Sequence, residues 1–395
     1  MDLAPDPDHE AIREGVRRAC SPFDDDYWRD CDSAHEFPWD FYRAMAEGGW
    51  IGIAIPEAHG GGGRGIAEAA IVVEEVAASG AAMNGASAIH LSIFGMGPVI
   101  KHGSEELRER VLPAVASGEL HVAFGVTEPD AGTDTSRIST RATLADDGSH
   151  YVVRGRKVWT TKAPYCQKVL LLVRTSPRDE ARPTDGMTLL LADLQEGDGE
   201  VRPQVAITPI PKAGRNAVVS CEVAYDELTV PVADRVGEEG QGFRYLLDGL
   251  NPERILIAAE ALGTGRAALR RAVAYAGERV VFDRPIGQNQ GIAFPLARCH
   301  MQLEAAALAV REAAWRYDQG LSCGEHANTA KYLAAEAGYA AADQAVQTLG
   351  GMGYASEYHV ERYWREARLM RLAPVSQEMV QNYVATKVLG LPKSY

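Results

Sequence analysis

Apolar positions recur every three or four residues along the first third of the chain, as in Ala67–Ala78 and Ser104–Ala116. That period predicts amphipathic helices. A Gly-rich stretch, 60–65, interrupts them. From about Leu120 the texture changes. Short β-branched or apolar runs at Tyr151–Val153, Val169–Val173, Met187–Leu191 and Val218–Val223 are separated by Gly, Pro and Asp, as strands are by turns. From about Val236 the helical period returns, with wide apolar stripes in Ala305–Trp315 and Thr329–Gly350. The expectation is a mainly α protein with a central β domain. Residues 1–119 form an N-terminal helical domain, 120–235 a β-barrel or sandwich, and 236–395 a helical bundle.

A length of 395 residues, 46% of them apolar and 24% charged, suits a globular chain of two or three domains. The formal net charge of −14, without a basic block, argues against nucleic-acid binding and against attraction to anionic membranes. A phosphate-bearing small ligand stays open, because a few Arg forks and helix N-termini can hold one on an acidic protein. Met1–Glu10 carries four acidic residues and no basic leader, which does not read as a secretory signal. Apolar runs fall far short of the ~20 residues a bilayer span needs, so no membrane insertion and a cytoplasmic location are expected. The six cysteines show no paired or ligand-like spacing; reduced thiols and no metal site are expected.

Four segments could carry chemistry. Phe124–Ser136 packs four hydroxyls and a Pro-Asp-Ala-Gly turn into thirteen positions, and backbone N–H groups in such a loop can converge on an electron-rich ring edge or an anion. Tyr151–Thr161 ends Lys-Val-Trp-Thr-Thr; Trp159 reads as a core aromatic or as a plate against a flat cofactor. In Glu278–Gln290, Arg279 and Arg284 can fork onto phosphate, Phe282 can stack on a base and Gln290 can bridge. Gln347–Tyr354 breaks a long helix with Gly-Gly-x-Gly, a helix stop that also lets a ligand approach the backbone.

In this order the four segments resemble the acyl-CoA dehydrogenase family, over essentially the whole chain. Trp50–Gly61 is similar to the family's N-terminal helix–loop, Thr127–Asp134 to its first signature, and Gln347–Gly353 with Glu361, Arg365 and Arg368 to its second. The resemblance implies an N-terminal helical domain, a central β domain and a C-terminal four-helix bundle, with FAD as cofactor. By matching positions, Phe124, Val126, Thr127 and Thr133 would line the flavin, with Trp159 and Thr161 on its other side and Ser376 also at the cofactor. Arg279, Phe282, Gln290, Gln347 and Gly351 would hold the diphosphate and adenine of a neighbouring subunit's FAD, so a homo-oligomer, dimer or tetramer, is implied. Asn251 and Arg254 would contact the acyl-CoA, and Thr133 its thioester end. An electron-transfer flavoprotein would reoxidise the FAD.

The reaction implied is α,β-dehydrogenation of an acyl thioester. Taking a proton α to the carbonyl needs a carboxylate within hydrogen-bond reach of that carbon. Many members carry it in a Tyr-Glu-Gly-Thr stretch near the C-terminus, but here Leu372–Ser376 places Pro374 at that position. The long-chain and isovaleryl branches place the base before an Arg on a bundle helix, and this chain has Glu253-Arg254 there, so Glu253 is the expected base. Asn251-Pro252-Glu253 also reads as a helix start, Asn251 capping and Glu253 favouring the dipole. Pro374 supplies no N–H to polarise the thioester carbonyl. That leaves as the alternative a flavin oxidase or monooxygenase on the same fold, acting on a non-CoA or carrier-bound substrate.

Overall fold

The computed structural model describes residues 6–197 and 199–393; the first five positions of the acidic Met1–Glu10 start lie outside the described residues. Seven helices come first: α1 (Pro7–Cys20), α2 (Asp25–Ala34), α3 (Trp39–Glu47), α4 (Ile66–Val76), α5 (Ala82–Phe94), α6 (Gly97–His102) and α7 (Glu105–Ala116). Their starts are written in the sequence. Asp6, Asp24 and Ser104 accept the backbone N–H of Asp8, Tyr27 and Leu107, satisfying donors the first turn leaves free.

The middle region holds β1 (Val122–Gly125), β2 (Arg141–Leu144), β3 (His150–Thr161), β4 (Lys168–Arg174), β5 (Met187–Asp193), the small hairpin β6 (Gln195–Glu196) and β7 (Glu200–Val201), β8 (Val205–Pro209), β9 (Ser220–Pro231) and β10 (Arg235–Val236). The main sheet runs β10-β5-β4-β2-β3-β9-β8, with β1 added parallel to β4. β4 and β5 are apolar on both faces because both are covered. Leu170, Leu172, Leu189 and Leu191 pack with α7, whereas Val169, Leu171, Val173 and Leu190 pack inside the β domain.

Three long helices follow: α8 (Gly242–Glu278), α9 (Gln290–Asp318) and α10 (Gly324–Leu349), the hairpin β11 (Val280–Val281) and β12 (Arg284–Pro285) joining the first two. The fourth bundle position is divided between α11 (Val360–Ala367) and α12 (Gln377–Tyr383). α8 and α10 touch at backbone distance: a Cβ on Gly338 would stand 2.4 Å from the Ala261 carbonyl. One apolar core is shared by α1–α5 and the bundle, so the two helical regions pack as one body with the β domain docked against them.

Candidate active site

Glu253 lies eleven residues into α8, on a buried stretch that includes Ile255, Leu256 and Ile257. Asn251 and Pro252 therefore do not start a helix, as their sequence suggested. Pro252 is an interior residue of one continuous helix, and the dipole at that helix's start is more than two turns away, beyond its short range. Burial is what acts on Glu253. It pushes the carboxyl up to about 7, against the opposing pull of His90 and Arg254 and with help from Glu260. Its side chain opens on a narrow cavity walled by Phe94, Pro98, Phe124, Leu246 and Leu250. A carboxyl poised near neutrality in the wall of an apolar slot has the environment of a general base.

Phe124 ties this cavity to the first signature. The loop after it is fastened by Lys157, whose ammonium donates to the Val126 carbonyl at 2.9 Å and to Glu128 at 2.8 Å. Glu128 also accepts from the N–H groups of Ser139 and Thr140, and the Lys157 charge holds it down at about 2. Its work is thus to brace the loop. A further bond, Val158 N–H to Thr127 O at 2.9 Å, joins the loop to β3 at a register shift in its pairing with β9. There Trp159 takes a left-handed φ of 61° and stands 54% exposed. It is not the core aromatic that tryptophan usually becomes, but a plate held beside Val126 and Thr127. Thr161 ends the same strand, where its hydroxyl accepts from Arg215 at 3.5 Å. Thr133 is exposed farther along the loop and is not part of the cavity wall.

The remaining candidates fall into two places. Arg254 is mostly buried, donates to Asn251 Oδ1 at 3.1 Å, and leaves its Nε without a hydrogen bond. Lys331, within electrostatic reach of Arg254, donates to the Val375 carbonyl at 2.8 Å. That contact places the Pro374 turn at the Glu253 end of the bundle. Ser376 caps α12, accepting from Met379 N. Arg279, Phe282, Gln290, Gln347 and Gly351 are all exposed, at the opposite end. Arg279 follows Glu253 by 26 residues along α8, about 40 Å at 1.5 Å per residue. Phe282 sits at the tip of the β11–β12 hairpin with φ 52° and is 93% exposed. Within one chain these residues cannot reach a ligand at Glu253; a second copy could present them.

Sequence reasoning missed His90, on α5, and Glu260, two turns beyond Glu253 on α8. They approach to 2.6 Å between His90 Nδ1 and Glu260 Oε1, with Glu260 wholly buried. The available signal was a single acid inside the apolar run Ile255–Leu262 and a single imidazole inside Ala88–Phe94. Also missed was Arg215, which donates to Ser87 at 3.3 Å and Ser220 at 2.8 Å.

Residues 6–119, 123–228 and 240–389 match the family descriptions "Acyl-CoA dehydrogenase, N-terminal domain", "middle domain" and "C-terminal domain". The chain is 38% identical over 393 residues to the acyl-CoA dehydrogenase FadE12 of Mycobacterium bovis, covering 98% of this chain and 97% of that one. It superposes on the glutaryl-CoA complex of glutaryl-coenzyme A dehydrogenase with a TM-score of 0.92 at 29% identity, over 100% of this chain and 98% of that one. For butyryl-CoA dehydrogenase from Megasphaera elsdenii the TM-score is 0.91 at 28% identity, over 98% and 100%.

Proposed function

The chain belongs to the acyl-CoA dehydrogenase family, and from that premise we propose that it oxidises the α,β bond of an acyl-CoA thioester, with Glu253 as the α-proton base. The observation that carries this reading is the Glu253 carboxyl, pushed up to about 7 where it lines an apolar cavity. Bound FAD supplies the hydride acceptor for the β-hydrogen. The residues fit such a group: the exposed Trp159 indole beside the braced 126–128 loop offers a flat face with hydroxyls at Thr127 and Thr161.

In this assignment Phe124, Val126, Thr127, Thr133, Trp159, Thr161 and Ser376 border the flavin. Arg279, Phe282, Gln290, Gln347 and Gly351 of a second copy grip the nucleotide end, which makes the working unit at least a dimer. Asn251 and Arg254 hold the CoA side, Arg254 with an unpaired donor to offer. Phe94, Phe124 and Leu250 exclude water from the reacting carbons, so the carboxylate of Glu253 meets the α-proton without a competing solvent shell. An electron-transfer flavoprotein takes the electrons onward.

The test is anaerobic mixing of the FAD-loaded protein with a series of acyl-CoAs, following the oxidised-flavin absorbance. Rapid bleaching, with the enoyl thioester recovered, is expected. FAD-bound protein that no thioester bleaches, yet that forms peroxide with another substrate class, sinks the dehydrogenase reading.

A further inference from the structure

The loop between β8 and β9 holds one residue in a costly conformation. Arg215 takes a left-handed φ of 59°, which a residue other than glycine keeps only where its surroundings fix it. Here they do. Arg365 of α11 donates to the Ala213 carbonyl at 2.9 Å, and Lys212 to the Gly214 carbonyl at 3.1 Å. On the other side, Asp32 of α2 accepts the Asn216 N–H at 2.8 Å, and Asn84 of α5 accepts the Ala217 N–H at 3.0 Å. Three helices thus grip the chain within two residues on either side of Arg215.

What this grip presents is a guanidinium aimed at hydroxyls. Arg215 donates to Ser220 Oγ at 2.8 Å, to Ser87 Oγ of α5 at 3.3 Å and to Thr161 Oγ1 at 3.5 Å, the longest of the three. Thr161 and Ser220 stand opposite each other across the β3–β9 ladder. Among the described residues no carboxylate bonds to Arg215; Glu260 and Glu366 act on it only through space. A guanidinium donates and never accepts. Thr161 therefore turns a lone pair toward this charge, and its single O–H points elsewhere, with no described residue to accept it. The backbone at that point is anchored separately. Lys162, next in the chain and wholly buried, donates its ammonium to the Ala88 carbonyl at 3.2 Å and its N–H to Val219 O at 2.9 Å. What is left for Arg215 to set is the direction of the Thr161 hydroxyl.

We propose that Arg215 is a positioning residue for the cofactor: it orients the Thr161 hydroxyl as a donor to the rim of the bound flavin and so raises the flavin's reduction potential. This rests on the placement of the flavin in the reading above and adds how the chain tunes it. Reduction loads the flavin ring with electron density, so a donor at its edge, with a cation behind that donor, favours the reduced form over the oxidised one. The same grip explains why a strained arginine is kept: Asp32, Asn84 and Arg365, which look purely structural, hold in register the loop that carries it.

The reduction potential reads this without any substrate. The FAD-loaded protein, its Arg215→Met and Thr161→Val variants and the double variant are each titrated anaerobically against a reference dye. Arg215→Met should shift the equilibrium at least tenfold toward oxidised flavin, about 30 mV for a two-electron couple. Thr161→Val should shift it the same way, and the double variant should fall clearly short of the two shifts added. Should Arg215→Met fail to fold or to hold FAD, Arg215→Lys takes its place in the cycle; it keeps the charge, loses the fork, and should shift the equilibrium the same way but less far. A potential unmoved by the Arg215 variant, or shifts that add in full, overturns the proposal and leaves the dehydrogenase reading to its own bleaching test. Potentials that move as expected, in protein whose flavin no thioester bleaches, support the proposal and overturn that reading alone. Protein that binds no FAD overturns both.

Discussion

Glu253 and Glu366 are both buried carboxyls in the helical bundle, and burial pushes each up to about 7. Their surroundings differ completely. Glu366, on α11, accepts from Met83 N at 2.6 Å, Asn84 N at 3.2 Å and Asn84 Nδ2 at 2.7 Å, with Arg362 at 3.4 Å. Asn84 in turn reaches Asp32, which holds Arg365 and the Asn216 N–H. This knot ties α2, α5, α11 and the β8–β9 loop together with nearly every lone pair used. Glu253 instead opens on a cavity, among groups that act on it through space. A raised pKa alone therefore does not mark a functional acid. What separates the two is whether the neighbouring donors are already committed.

The comparison can be broken by substitution. The largest effect belongs to Glu253→Gln: FAD binding should persist while thioester-driven bleaching slows by on the order of 10³-fold, a stopped-flow measurement. The wild-type bleaching rate at low substrate should also climb as pH rises through about 7, because only the deprotonated carboxyl accepts a proton and its folded value stands above the usual range. Glu366→Ala should instead leave the chemistry and cost about 3–5 kcal/mol in denaturant unfolding, the consequence of removing one partner from a buried charged network. Equal losses of stability in the two variants would erase the distinction.

Phe282→Ala should weaken FAD by about 1–3 kcal/mol, the scale of aromatic stacking on a base, read by titrating the apoprotein. The folded chain should be unchanged, since that ring is 93% exposed.

Much of this molecule was legible in its residues. The 3–4 period at Ala67–Ala78 and Ser104–Ala116 became α4 and α7, and the run Met187–Leu191 became β5. Caps and period are local properties, so a single sequence carries them. Glu253 was reached only through resemblance, and its local context misled. Asn-Pro-Glu reads as a helix start, yet tertiary packing carried α8 straight through Pro252. Trp159 was ambiguous because exposure is set by a bulge between distant strands, which no local pattern encodes. The His90–Glu260 contact joins positions 170 residues apart; only the odd polar letter in each apolar run hinted at it. Of the second-signature residues, Arg365 donates to both Glu361 and Asp32, so part of that signature is structural bracing.

The length of α8 has a genetic consequence. On the proposed assignment, a helix with the proton acceptor near one tip and the nucleotide grip beyond the other would make each reaction centre the joint property of two polypeptides. Defects at the two tips should then complement. Chains bearing Glu253→Gln, co-assembled with chains bearing Phe282→Ala, would form mixed pairs in which one centre inherits both faults and the other inherits neither. Such a mixture should turn over faster than either parent preparation alone, and two crippled alleles would together restore what each had lost.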